Sequence, residues 1–231
     1  MTLPRSTLVF GHRGASAVET ENTVEAFAAA ARLGADGVEL DVRRTADAAM
    51  AVHHDAALRD GRVIVELTAD QLPAEVSLLE DALRACGSMR VNVEIKNVPI
   101  DADYDPEQRV AGQVVELVNA MGIADRIIVS SFGLPAIDAV RALDPSIATG
   151  WLTLSSYDQL RALDTVFENG HRALHPYFST VTSELVDAAH GAGLAINAWT
   201  VDDPDEMKRL ADLGVDSIIT NDVALAVATL R

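Results

Sequence analysis

The segment Val38-Glu39-Leu40-Asp41-Val42 alternates aliphatic and acidic residues. Alternation at period 2 marks a β-strand with two unlike faces, so Glu39 and Asp41 share one face and the aliphatic residues the other. The run Met50-Ala51-Val52-His53-His54-Asp55 follows a polar stretch, Thr45-Ala46-Asp47-Ala48, and reads as the return strand of a hairpin. With Asp47 and Ala48 as a two-residue loop, Asp41 lies opposite His54, and directly opposed side chains have Cβ atoms about 4.5–5.5 Å apart. Farther on, Val91-Asn92-Val93-Glu94-Ile95-Lys96 repeats the alternation and puts Asn92, Glu94 and Lys96 on one face. Carboxylates grouped with a histidine suit metal binding and proton transfer.

Three carboxylates (Glu39, Asp41 and Glu94) without clustered cysteine point to a hard cation with oxygen ligands, Mg²⁺ or Ca²⁺. His12 and His54 have the chemistry to serve zinc, but two histidines are also what general acid–base catalysis needs near neutral pH. Charge suggests the substrate. Against the three carboxylates stand Arg13 and Lys96, which leave the patch negative; a divalent cation turns it positive. A phosphodiester anion is then attracted only when the cation is bound. Metal and cationic side chains stabilise charge on the non-bridging oxygens, one histidine deprotonates the nucleophile, and the other protonates the leaving alkoxide.

Elements from several parts of the chain must bring these groups together. Strands are expected at Leu8–Gly11, in the two acidic segments, and at residues 126–131, 147–152, 172–175, 194–200 and 216–220. Helices are expected at about 23–33, 77–86, 106–121, 135–143, 157–163, 182–192, 204–213 and 223–230, several closed by Gly34, Gly87, Gly193 or Gly214. Residues 56–77 read as irregular, with a short strand at Val63-Ile64-Val65. Strand–helix alternation implies a mostly parallel sheet covered by helices. Eight such units, not counting the return strand, suggest a (β/α)8 TIM barrel with a β-hairpin extension and a short insertion after its second strand; an open doubly wound sheet is the alternative. In a barrel, residues at the C-terminal strand ends meet at one rim. His12, Arg13, Glu39, Asp41, His54, Glu94, Lys96 and Trp199 all fall there.

The chain has 231 residues, 49% of them hydrophobic, and a formal net charge of −17. Length and the lack of a linker suggest one domain spanning 1–231. The acidity argues against nucleic acid and anionic membrane surfaces as partners. Cys86 is the only cysteine, so an internal disulfide is excluded. No apolar run reaches the ~20 residues of a membrane span. A cytoplasmic protein acting on a small-molecule phosphodiester is expected, and its oligomeric state stays open. His171 and His190 are expected to be solvated.

Taken together, His12-Arg13-Gly14, Glu21-Asn22-Thr23, Glu39-Leu40-Asp41, His54-Asp55, Glu94-Ile95-Lys96, Ser130-Ser131-Phe132, Trp199-Thr200-Val201 and residues 214–220 resemble the glycerophosphodiester phosphodiesterase family over nearly the whole chain. The resemblance implies a barrel that hydrolyses deacylated phospholipids to an alcohol and glycerol 3-phosphate. It further implies His12 and His54 as acid and base, with the order between them open. It implies Glu39, Asp41 and Glu94 as metal ligands, Arg13 and Lys96 as phosphate contacts, and Trp199 against the glycerol or alcohol. A glycerol hydroxyl as first nucleophile, giving a cyclic phosphate that water opens, belongs to the same expectation. A lyase that stops at the cyclic phosphate and a non-catalytic phosphate-binding barrel are the competing readings. The segment after Asp55 looks shorter than the family's and lacks its Arg-Thr cluster, which bears on the alcohol accepted.

Overall fold

The computed structural model describes residues 6–231. Its strands and helices run β1 Leu8–Gly11, α1 Val24–Arg32, β2 Gly37–Arg44, β3 Met50–Val52, α2 Leu79–Ala85, β4 Arg90–Ile95, α3 Arg109–Met121, β5 Ile127–Ser131, α4 Leu134–Leu143, β6 Ala148–Thr153, α5 Gln159–Glu168, β7 Ala173–Pro176, α6 Ser183–Gly191, β8 Ala195–Ala198, α7 Pro204–Leu213, β9 Ser217–Thr220 and α8 Val223–Leu230. The strands hydrogen-bond in the order β1-β9-β8-β7-β6-β5-β4-β2-β3, and a further β1–β2 pairing closes the sheet. Every pairing is parallel except β2–β3. The result is an eight-stranded (β/α)8 barrel with β3 as a hairpin appendage on β2.

The alternating sequence dictates how each strand sits. Val38, Leu40 and Val42 of β2 and Val91, Val93 and Ile95 of β4 are buried in the layer between barrel and helices, in one cluster with Phe27 of α1 and Leu79 and Leu83 of α2. The opposite face of each strand therefore looks into the barrel. Register aligns Glu39 with Asn92, Asp41 with Glu94, and Glu94 with Ser130. Lower in the barrel, His175 is buried and its Nε2 accepts from Asn197 Nδ2 across 2.9 Å. Gly150 makes room for it: a Cβ there would lie 2.4 Å from His175 Nε2.

The structure corrects four local expectations. The hairpin loop has three residues, Ala46–Ala48, because Thr45 N donates to Ala49 O and Ala48 takes the left-handed conformation at φ 68°. Val42 consequently pairs with Val52, and His53 N, not His54, reaches Asp41 O (3.1 Å). A three-residue loop ending in an αL residue is a standard hairpin solution, usually with Gly at that position. Residues 64–66 form a 3₁₀ turn rather than a strand, with a single bridge between Ala57 and Val63. Helix α3 starts at Arg109, not near 106, because the Asp105 carboxylate accepts from Glu107 N and Arg109 N while Gln108 takes φ 54°. His171 is buried between Thr149 Oγ1 (2.8 Å) and Asp138 Oδ1 (3.1 Å), so it is not solvated. His190 is half-exposed beside Asp216 (3.0 Å). Among the described residues no helix is long and apolar enough to cross a membrane.

Candidate active site

Oxygens of Glu39, Asp41 and Glu94 lie within 4.8 Å of one another in the barrel mouth, and all three residues are buried. Burying like charges so close is costly unless they are paired or protonated. Each carboxylate answers differently. Asp41 Oδ2 accepts from Asn22 Nδ2 (2.9 Å), and Asn22 Oδ1 accepts from Asp41 N (3.2 Å). Arg13 Nε stands 3.2 Å from Asp41 Oδ2 as an ion pair without hydrogen-bond geometry, and Lys96 Nζ is 3.6 Å from Oδ1. Burial pushes Asp41 up, but Lys96, Arg13, His54 and the Asn22 bond together hold it below the ordinary carboxylate range. Glu94 accepts from Lys96 Nζ at 2.7 Å. Burial still lifts it to about 7, with Lys96 opposing and Asp41 adding to the rise. Glu39 Oε2 accepts from Arg13 N (2.9 Å), whereas Oε1 is buried without a partner. Burial, then Asp41 and Glu94, raise Glu39 well above its usual range.

The loop after β1 is built for these contacts. Arg13 sits at φ 54° and Gly14 at φ 84°. A Cβ on Gly14 would come within 2.7 Å of the Ala26 carbonyl carbon, so glycine is required where the loop crosses α1. Asn22 also takes positive φ (59°), which asparagine tolerates. Thr23, not Asn22, caps α1, accepting from Ala26 N (3.2 Å), and this frees the Asn22 amide for Asp41.

The two histidines have unlike partners. His12 Nδ1 is 2.7 Å from Asn221 Oδ1. Asn221 Nδ2 donates to Asp202 (2.6 Å), which turns its oxygen toward His12. An amide oxygen only accepts, so Nδ1 carries the proton and neutral His12 keeps its lone pair on Nε2, 4.0 Å from Glu39 Oε2. His54 Nδ1 donates to a carboxylate, Asp55 Oδ1, at 2.7 Å. Burial lowers both imidazoles; the Asn221 hydrogen bond opposes this at His12, and Asp41 opposes it at His54.

Lys96 Nζ lies 5.7 Å from the Phe132 ring centre, and Phe132 packs edge-on against Trp199 at 5.3 Å. Trp199 Nε1 donates to His175 O (2.7 Å), and its ring also meets Tyr177 at 5.6 Å. Arg13 reaches Glu21 through a terminal nitrogen (2.9 Å). All eight residues expected at the rim are thus on one end of the barrel. His12, Arg13, Glu39, Asp41, Glu94 and Lys96 form one contact network; His54 borders it from the hairpin side, and Trp199 stands across Phe132. Two cavities open beside His54. One of about 720 Å³ is bounded by Glu21, His53, Asp55, Arg59 and Glu75, and one of about 180 Å³ by Arg43, Glu94, Lys96, Asp101 and Phe132. Sequence reasoning missed Asn22 as the clamp on Asp41, Asn221 with Asp202 behind His12, and Arg43. Only strand parity pointed to Asn221, which continues the inward series Ser217, Ile219.

A closed (β/α)8 barrel with buried carboxylates and two histidines at the C-terminal rim is the frame of a barrel hydrolase. The model of the glycerophosphoryl diester phosphodiesterase family matches residues 12–225, and the chain belongs to that family. It is 28% identical over 245 residues to a glycerophosphodiester phosphodiesterase of Caldanaerobacter subterraneus subsp. tengcongensis, covering 97% of this chain and 98% of that one. It is 31% identical over 239 residues to a glycerophosphodiester phosphodiesterase of Bacillus altitudinis, covering 93% and 94%. The crystal structure of a glycerophosphodiester phosphodiesterase from Parabacteroides distasonis superposes with a TM-score of 0.84 at 28% identity, covering 98% of this chain and 96% of that one.

Proposed function

We propose that this enzyme hydrolyses glycerophosphodiesters to an alcohol and glycerol 3-phosphate, with one divalent cation, Mg²⁺ or Ca²⁺, at Glu39, Asp41 and Glu94. The observation that carries this reading is the buried three-carboxylate cluster, with His12 4.0 Å from Glu39 and His54 sharing a cavity with Glu94. The donors fit a hard cation: all are carboxylate oxygens, and Glu39 Oε1 is buried without a partner. When bound, the cation polarises the phosphate and offsets charge on its non-bridging oxygens.

Every other role falls to side chains. Arg13 and Lys96 attract the phosphodiester anion and orient it. Trp199 and Phe132 pack against its carbon skeleton. His12, held by a neutral amide, acts as the base: Nε2 takes the hydroxyl proton of the nucleophile as its oxygen bonds to phosphorus. His54, whose Nδ1 donates to the Asp55 carboxylate, acts as the acid: it gives its proton to the alkoxide as the opposite P–O bond breaks. With a glycerol hydroxyl as nucleophile the first product is a cyclic phosphate. Water then opens it with the two histidines in exchanged roles.

Phosphorus NMR of glycerophosphocholine and glycerophosphoethanolamine turnover tests this, run with Mg²⁺, with Ca²⁺ and with a chelator. Glycerol 3-phosphate formed only with a cation is the expected result. A cyclic phosphate as end product replaces hydrolysis by the lyase reaction, and no turnover with either cation overturns the proposal. His12→Ala and His54→Ala should each lose at least about 100-fold in kcat; activity within tenfold of wild type removes that residue from the mechanism.

A further inference from the structure

We propose that Arg43 is a positioning residue for His54. The inference rests on the reading of His54 as catalytic and adds the device that fixes its place. Arg43 stands two residues beyond Asp41 on β2 and is only 3% exposed. A guanidinium is buried at high cost unless its donors are matched by acceptors. Here Nε donates to the His54 carbonyl (2.8 Å), and a terminal nitrogen donates to Asp103 (2.6 Å). Both terminal nitrogens reach Asp101 at 3.3 Å. The Asp103 side chain is itself nearly enclosed, at 4% exposure, and the acidic loop of residues 98–105 closes on Asn97, which exchanges two 2.8 Å hydrogen bonds with the Asp105 backbone.

His54 needs such a hold. The β2–β3 ladder ends with His53 N on Asp41 O, and among the described residues no backbone–backbone hydrogen bond reaches His54. Its ring is hydrogen-bonded by Asp55, whose side chain is 75% exposed. The depth of the ring in the barrel mouth is therefore set through its carbonyl, and Arg43 is what the carbonyl meets. The same guanidinium lines the cavity of about 180 Å³ that touches His54, Glu94, Lys96 and Phe132. Lysine is a poor replacement, since one ammonium cannot span the carbonyl and both carboxylates in a planar fork.

A double-mutant cycle tests the assignment. Arg43→Gln is expected to lower kcat for a glycerophosphodiester by about 10- to 100-fold, as a shift of about 1 Å in a catalytic group does, with KM and cation affinity unchanged within about threefold. If Arg43 works through His54, the same substitution in a His54→Ala background changes the residual kcat by less than about twofold. Equal losses in both backgrounds, or a wild-type kcat for Arg43→Gln, overturn the role of Arg43. A fully active His54→Ala variant instead overturns the underlying reading. Should Arg43→Gln fail to fold by circular dichroism, Arg43→Gln/Asp103→Asn, which removes the charge pair together, carries the same cycle.

Discussion

Acid should release the cation from this site, and the structure sets the scale. Cation binding needs ionised ligands. Burial holds Glu94 at about 7, with Lys96 only partly offsetting it. At pH 8 about nine-tenths of Glu94 is then ionised, and at pH 5 about one part in a hundred, so the apparent dissociation constant should rise by about 90-fold over that interval. Glu39, also raised, steepens the dependence, whereas Asp41 stays ionised throughout. Calorimetric titration with Mg²⁺ or Ca²⁺ at pH 8 and pH 5 measures this directly. Equal dissociation constants within threefold at the two values refute the argument, because they would mean that the buried Glu94 is already ionised at pH 5.

The same shift fixes the sign of a stability effect in cation-free protein. Glu94 has a folded pKa above its unfolded value of 4.5. Its contribution to stability is therefore fully present below 4.5 and lost as pH rises through about 7, by about 3 kcal/mol in all. Glu94→Gln lacks this loss, so the difference in unfolding free energy between variant and wild type should grow between pH 5 and pH 8 in chelator. Cation at a hundredfold excess over its dissociation constant returns about 2.7 kcal/mol to wild type at pH 8. The variant should bind the cation more weakly and with a flatter pH profile.

His175 titrates in the opposite sense: burial pushes its imidazole down to about 3, so stability present above an unfolded value of 6.5 is lost as pH falls toward 3. Urea unfolding at pH 7 and pH 5 should show wild type losing about 2 kcal/mol that His175→Gln keeps. Asn22→Ala strips Asp41 of a donor and an acceptor inside the barrel; it should cost about 1–3 kcal/mol in the same assay and weaken cation binding measurably. Gly14→Ala forces a Cβ against the Ala26 backbone at φ 84°, and its melting temperature should fall by several degrees, with turnover falling too because Arg13 adjoins it.

What the chain's local order reveals and what it hides divide along one physical line. Strand parity in β2 and β4 depends on neighbours in sequence, so the carboxylate face of Glu39, Asp41 and Glu94 could be read before any fold was known. Alternating strands and helices likewise disclosed the barrel, and the barrel put the rim residues together. The hairpin register was not legible, because it turns on whether Ala48 adopts positive φ, and alanine carries no signal for that. The slip of one residue moves Asp41's partner from His54 to His53. His54 still reaches the site because the last ladder hydrogen bond is at His53 and the chain beyond it is freed. That freedom explains why the remaining residues were hidden. Once past the ladder His54 is met by Arg43, 11 residues away across the hairpin, and Arg43 is in turn held by carboxylates 58 and 60 residues from it. His12 shows the same pattern, its ring held by Asn221 across 209 residues. The candidate site residues sit in short local motifs, whereas several of the groups that hold them, Asn221 at His12 and Asp101 with Asp103 at Arg43, come from distant parts of the chain.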